Sequence, residues 1–132
     1  MHTILLADDD RDDTELLKTA LEDTMQEFVL YTATDGNDAL TKLNELHTTD
    51  NLPCIIIIDI NMPLLNGKEL YNLISSDKRF SHIPVVILSS SVNKRDKDFF
   101  ANQVPYFTKP YSFDTLSSIV TEIVSQCKEH AA

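Results

Sequence analysis

The sequence predicts an α/β protein, a doubly wound sheet of five parallel strands with helices on both faces. Three observations lead there. Short apolar runs alternate with stretches of helical periodicity five times along the 132 residues, the pattern of successive βα units. The run Cys54–Ile58 (CIIII) is apolar at every position, as in a strand covered on both faces rather than on one. Polar and charged residues then follow the strands, Asp8 and Asp9 after the first and Asp59 after the third. Open parallel sheets bind ligands at that carboxyl edge.

Taken in order, Thr3–Ala7 (TILLA) is the first strand. Asp10 caps the helix behind it, with Asp13 three residues on, and Leu16, Leu17, Ala20 and Leu21 form its inward stripe. Phe28–Thr32 is the second strand. Asp35-Gly36 turns into a helix with Ala39, Leu40, Leu43 and Leu46 inward, and HTTDNLP is a polar link to the third strand, Cys54–Ile58. A third helix follows Gly67, with Leu70, Leu73 and Ile74 inward. SSDKRFSHIP then leads through Pro84 into the fourth strand, Val85–Leu88. Asn93–Ala101 carries a weaker helical pattern, in which Phe99 or Phe100 packs onto the sheet. Tyr106–Thr108 is a short fifth strand, and Phe113, Leu116, Val120, Ile123 and Cys127 mark a closing amphipathic helix.

Composition narrows the function. The content is 42% apolar and 24% charged, ordinary for a globular domain, and the formal net charge is −10. Such a charge argues against a nucleic-acid partner held by phosphate neutralisation. Only Gly36 and Gly67 are present, so there is neither a P-loop nor a dinucleotide fingerprint. No apolar stretch approaches the ~20 residues that span a bilayer, and no secretory signal pattern opens the chain. The expected setting is cytoplasmic, with no membrane partner. Cys54 and Cys127 are expected to be reduced packing residues. His2, His47, His82 and His130 show no metal-ligand spacing and read as surface or loop residues.

The first polar residues beyond the strands are Asp8 and Asp9, Asp59, Ser89 and Lys109. Carboxylates brought to ~4 Å and all ionised repel by about 4 kcal/mol per pair at an effective dielectric of 20. One lysine does not offset three such repulsions, so a proton or a cation is expected. Carboxylate oxygens suit Mg²⁺. A metal, a carboxylate nucleophile, a hydroxyl and a lysine are the parts of phosphoryl transfer onto aspartate. Each residue alone has a plainer role: Asp10, Asp12 and Asp13 as helix caps, Ser89 as a turn residue, Lys109-Pro110 as a surface dipeptide. Their joint placement on successive strand ends favours the shared site.

The chain resembles the response-regulator receiver domains of two-component signalling along essentially its whole length. ILLADDD is similar to the family's first strand with its acidic pair, and IIIIDINMPLLNG to its phosphoacceptor segment. VVILSSS and YFTKPY supply the residues expected at the next two strand ends. The resemblance implies a flavodoxin-like (βα)5 three-layer sandwich of strand order 2-1-3-4-5. A single receiver domain over 1–132 is expected, with its core at about 3–127 and no output domain. Asp59 would be the phosphoacceptor, taking its phosphoryl group from a histidine kinase or histidine phosphotransfer protein. Asp8, Asp9, Asp59 and the backbone carbonyl of Asn61 would hold Mg²⁺ or another divalent cation such as Mn²⁺, Asp8 mainly through a metal-bound water. Lys109 and Ser89 would pair with the phosphoryl oxygens, and Ser89 and Tyr106 would form the switch. Asn61 and Ser91 would tune phosphate lifetime, and the Lys109–Pro110 bond would be cis. Output would pass to a downstream protein target, and the face made by helix four, strand five and helix five is a candidate dimer surface, with Phe99, Phe100 and Tyr111 nearby.

Two departures from the family pattern stand out. Asn66-Gly67 replaces the common Asp-Gly, and the turn is expected to survive because Gly supplies unusual backbone angles and Asn tolerates them. In ANQVPYFTKP, Asn102 and Pro105 stand where a glycine usually precedes strand five. SSDKRFSHIP is similar to the longer connection of stand-alone receivers related to phytochrome-partnered ones. Two rival readings fit the sequence less well. A haloacid-dehalogenase-type phosphatase needs a second Asp two residues after the nucleophile, and Asn61 stands there; an amide does not shuttle protons at neutral pH. A receiver-like module acting by protein contact without phosphorylation usually lacks one of the acidic pair, the acceptor or the lysine, and all are kept here. The chain is therefore expected to be a signalling phosphoacceptor and not an enzyme acting on an external substrate.

Overall fold

A computed structural model describes residues 2–24 and 27–127; His130 lies outside them. The elements alternate: β1 (His2–Ala7), α1 (Arg11–Thr24), β2 (Phe28–Ala33), α2 (Gly36–Thr48), β3 (Ile55–Ile58), α3 (Gly67–Ser76), β4 (Val85–Ser89), α4 (Lys94–Phe100), β5 (Tyr106–Thr108) and α5 (Phe113–Val124). All strand pairs are parallel and the sheet order is β2-β1-β3-β4-β5. This is the doubly wound, flavodoxin-like fold expected, with strand boundaries within one residue of those read from the sequence.

Period-two alternation explains why the central strands are apolar throughout. Leu5, Ala7, Ile56, Ile58, Val85 and Ile87 face one layer, where they pack with Ala39 and Leu43 of α2, Leu70 and Ile74 of α3 and Phe100 of α4. Ile4, Leu6, Ile55, Ile57, Val86 and Leu88 face the other, against Leu17, Ala20 and Leu21 of α1 and Leu116, Val120 and Ile123 of α5. All four isoleucines of β3 are fully buried. Burial of a side chain this size contributes roughly 1.5–3 kcal/mol, so β3 anchors the sheet from its centre. Phe100 is the residue of α4 that packs on the sheet, with Phe99 half-buried beside it.

Three expected inward residues are exposed: Leu16 at 49%, Leu73 at 46% and Phe113 at 38%. Leu16 and Leu73 each precede a buried residue, Leu17 and Ile74. Sequence neighbours on a helix lie about 100° apart around its axis, since 3.6 residues make a turn. In these two pairs the second residue faces the sheet and the first is turned toward solvent. Phe113 opens α5, ahead of the turn that packs.

The cysteines are a further correction. Cys54 and Cys127 are joined as a disulfide in the structure, their Cα atoms 4.9 Å apart, inside the usual range for the bond. They are 73 residues apart in sequence, and the return of α5 beside β3 brings them together.

Between α3 and β4, Arg79 bonds the carboxylate of Asp77 and the side-chain oxygen of Asn44, and lies over the ring of buried Phe80. These contacts tie the long connection down beside α2.

Candidate functional site

The strand ladders run one bond past the strands and set the acidic residues in place. The amide of Asp8 donates to Ala33 O and that of Asp59 to Ala7 O, both at 2.9 Å, and the amide of Lys109 donates to Ser89 O at 2.9 Å. Asp8, Asp59 and Ser89 are buried, whereas Asp9 is exposed.

Lys109 organises the cluster. Its Nζ donates to Asp8 Oδ2 at 2.8 Å, Asp13 Oδ2 at 2.8 Å and Asp59 Oδ2 at 3.3 Å. Burial disfavours the ammonium, but hydrogen bonds to Asp13 and Asp8 and the charges of Asp59 and Asp8 outweigh it, holding its pKa above the usual lysine value. Burial pushes the Asp8 carboxyl up to about 6, against the pull of Lys109 and of the Asp10 amide. Asp8 is thus drawn toward holding a proton chiefly by its burial, with the charge of Asp59 a lesser contribution.

One oxygen each of Asp8, Asp9 and Asp59 lie within 4.8 Å of one another. Three carboxylates, those of Asp8, Asp13 and Asp59, contact the one ammonium, and Asp9 adds a fourth carboxylate beside Asp8 and Asp59. An all-oxygen, anionic donor set fits a hard divalent cation such as Mg²⁺ or Mn²⁺ and disfavours a soft one.

Beyond the acids lies a second network. The Ser91 amide donates to Ser89 Oγ at 3.3 Å, and the Tyr106 hydroxyl donates to Ser91 O at 2.9 Å. Burial raises the Tyr106 phenol pKa, which keeps it a donor. Ser91 Oγ donates to Asp96 Oδ2 at 2.5 Å, and Lys68 Nζ sits 2.6 Å from Asp96 Oδ1. Hydrogen bonds from Lys68, then Ser91, hold Asp96 below the usual carboxylate range. Ser89 and Tyr106, the expected switch pair, are thereby joined through Ser91.

Two expectations about local backbone need correction. The Lys109–Pro110 bond is trans, since no peptide bond among the described residues is cis. Trans is the intrinsically favoured form of an X–Pro bond. Gly67 has no positive φ, so it is not there for unusual angles. A Cβ on Gly67 would lie 2.6 Å from Asp59 O and 2.7 Å from Ile60 Cα, so glycine is required by the close approach of α3 to the acceptor loop. Asn66 is the N-cap of α3 at φ −79, in a capping box with Glu69. In the connection to β5, Asn102 takes φ 63, a conformation Asn tolerates better than most side chains.

Sequence reasoning missed Asp13, Asp96 and Lys68. Asp13 caps nothing. Asp10 is the cap, accepting from the Asp13 amide at 3.1 Å, and the Asp13 carboxylate turns to Lys109. Its place in the first turn of α1, the helix that follows the β1 strand end, was the available signal. Asn61 is exposed, with its amide facing Asp59 Oδ1 at 3.5 Å. A recess of about 320 Å³, lined by Tyr71, Pro84, Val85 and Pro105 among others, opens at the other end of the strands, away from these groups.

A doubly wound sheet with this acidic cluster, serine and lysine on its carboxyl edge defines the receiver class of two-component signalling proteins. The family model for the response regulator receiver domain matches residues 4–121, and the chain belongs to that family. Protein PilG of Pseudomonas aeruginosa is 34% identical over 109 residues, covering 80% of this chain and 77% of that protein. A transcriptional regulatory protein CpxR homologue of Haemophilus influenzae is 39% identical over 90 residues, 68% of this chain but only 35% of that longer protein. Among solved structures, the phosphorylated cyanobacterial phytochrome response regulator RcpA superposes with a TM-score of 0.85 at 30% identity, covering 96% of this chain and 94% of that one. The Mn²⁺-bound form of response regulator Rcp1 gives 0.81 at 29% identity, over 95% and 93%. Receiver domains generally bind divalent cations at this acidic pocket. Among the described residues no helix is long and apolar enough to cross a membrane.

Proposed function

We propose that this chain is a phosphoacceptor switch, a signalling protein rather than an enzyme for an external substrate. A carboxylate oxygen of Asp59 attacks the phosphorus of a phosphohistidine on a histidine kinase or histidine phosphotransfer protein. The O–P bond forms as the P–N bond breaks, and the imidazole leaves with a proton. The observation that carries this reading is the buried Asp59 carboxylate at the end of β3, 3.3 Å from Lys109 Nζ and grouped with Asp8 and Asp9.

Asp8, Asp9, Asp59 and the Asn61 carbonyl would hold Mg²⁺, whose charge would offset that of the phosphoryl oxygens. Lys109 exchanges a carboxylate contact for a phosphoryl oxygen, and the Ser89 hydroxyl donates to another. The phosphoryl group adds about −1.5 to −2 charge and three acceptors, by analogy with hydroxyl phosphates. Drawing Ser89 toward it strains the bond from the Ser91 amide and, through Ser91 O, the hold on Tyr106. The surface of α4, β5 and α5 then changes and is read in the cytoplasm by a protein target. Asn61 and Ser91 flank the water that ends the signal. Similarity to RcpA makes a phytochrome-linked histidine kinase the first donor to try.

The test is incubation with acetyl phosphate and Mg²⁺, followed by intact mass. One phosphoryl adduct is expected, lost with EDTA and in Asp59→Asn. An adduct that persists in Asp59→Asn moves the acceptor elsewhere. No adduct from either acetyl phosphate or a phosphorylated kinase would favour a module that works by protein contact alone.

A further inference from the structure

We propose that His2, Cys54 and Cys127 form a second cation site, which in the reduced protein takes a thiophilic metal ion of the Zn²⁺ class. It lies at the opposite edge of the sheet from the acidic cluster, since His2 opens β1, Cys54 immediately precedes β3 and Cys127 follows α5.

Three parts of the fold converge there for separate reasons. The parallel register sets Ile4 against Ile55, which puts Cys54 level with Thr3 and next to His2. His2 shares the sheet face of Ile4 and Leu6 by alternation, the face covered by α1 and α5. Cys127 comes onto the same layer because Val120 and Ile123 bury α5 there. The backbones are pinned: the Cys54 amide donates to Thr3 O at 2.8 Å, the Cys127 amide to Val124 O at 2.9 Å, and the His2 amide to Glu27 O at 3.4 Å.

One ligand atom from each of the three residues lies within 4.8 Å of the others, and all three residues are half-buried. The donor set is two sulfurs and an imidazole nitrogen. It is the soft counterpart of the all-oxygen cluster, and two thiolates with one imidazole are a known zinc set that leaves a fourth position open. A disulfide alone needs no imidazole beside it. His47 and His82 are both exposed, and of the described histidines only His2 is drawn inward. Linear spacing concealed the site because its ligands come from both ends and the middle of the chain.

Metal binding and the disulfide are alternatives. A dithiol reductant exchanges with the Cys54–Cys127 bond, leaving two thiols and its own disulfide. Zn²⁺ then displaces the two thiol protons and forms two metal–sulfur bonds. The bound ion ties β1, β3 and the end of α5 together.

The test uses the full chain, reduced and freed of reductant without air, and titrated with Co²⁺ as a spectroscopic stand-in for Zn²⁺. The expected result is a thiolate-to-cobalt charge-transfer band, bleached by Zn²⁺. The band should be unchanged in Asp59→Asn, which separates it from cation binding at the acidic cluster. It should be absent in Cys54→Ser and in Cys127→Ser, and weaker in His2→Ala, with circular dichroism confirming that each variant is folded. Four results would overturn the proposal: no thiolate band in the reduced protein, an undiminished band in His2→Ala, equal binding by the oxidised protein, or a disulfide that yields no free thiol to the reductant.

Discussion

Lys109 serves Asp8, Asp13 and Asp59 at once with its side chain only 13% exposed, so the charge balance of the pocket depends on it. Removing one partner of a buried ion pair leaves charge without compensation. Lys109→Ala is therefore expected to destabilise the metal-free protein by on the order of 3 kcal/mol in a urea melt. Asp59→Asn, which relieves repulsion instead, should leave stability unchanged or raised. Lys109→Ala should still accept phosphate yet fail to switch, and wild-type amide shifts around Tyr106 on phosphorylation would refute that role. Asp8 gives a pH signature. Its folded-state pKa is raised from 3.8 to about 6, so within that window the folded state holds a proton that the unfolded chain has lost. Its contribution to stability is full below the window and is lost as pH rises through it. Melts in EDTA across the window should show that slope in the wild type and a shallower one in Asp8→Asn. An identical slope in both would mean that Asp8 titrates normally.

The connection from β3 to α3 is the element on which acceptor geometry turns. Gly67→Ala would set a methyl against the backbone at Asp59 and Ile60, and backbone does not yield as a flexible side chain does. A loss of roughly 1–3 kcal/mol is expected, as for overpacking, together with slower labelling by acetyl phosphate because Asp59 shifts with its loop. Asn66→Ala one residue earlier removes a capping box. It should cost about 1 kcal/mol with near-normal labelling, and equal labelling defects in the two variants would sink the distinction. In the β4–α4 connection, the ties from Asp96 to Ser91 and Lys68 hold the segment that follows Ser89 to the start of α3.

For the whole molecule, charge is the governing term. A net charge of −10 and an acidic pocket both favour the state with a cation bound, because binding to the folded state alone stabilises it by mass action. Mg²⁺ is expected to raise the melting temperature of the wild type in a concentration-dependent way, and to do so much less in Asp9→Asn. Equal rises in both would indicate cation binding away from the cluster.

The sequence by itself determined the class of fold, because burial on two faces writes an unbroken apolar strand and parallel βα units write an alternating pattern. It also determined which residues end the strands, hence Asp8, Asp9, Asp59, Ser89 and Lys109, since a strand end is a local property and the sheet aligns all of them. Contacts between distant segments were decided only by the tertiary structure. Asp13 reads as one cap among several until Lys109 arrives from 96 residues away. Cys54 and Cys127 read as packing residues until α5 returns to β3. Gly67 reads as a turn residue until the Asp59 carbonyl is found against it. In each case the deciding quantity is a distance across the fold, and pattern and propensity along the chain carry no record of it.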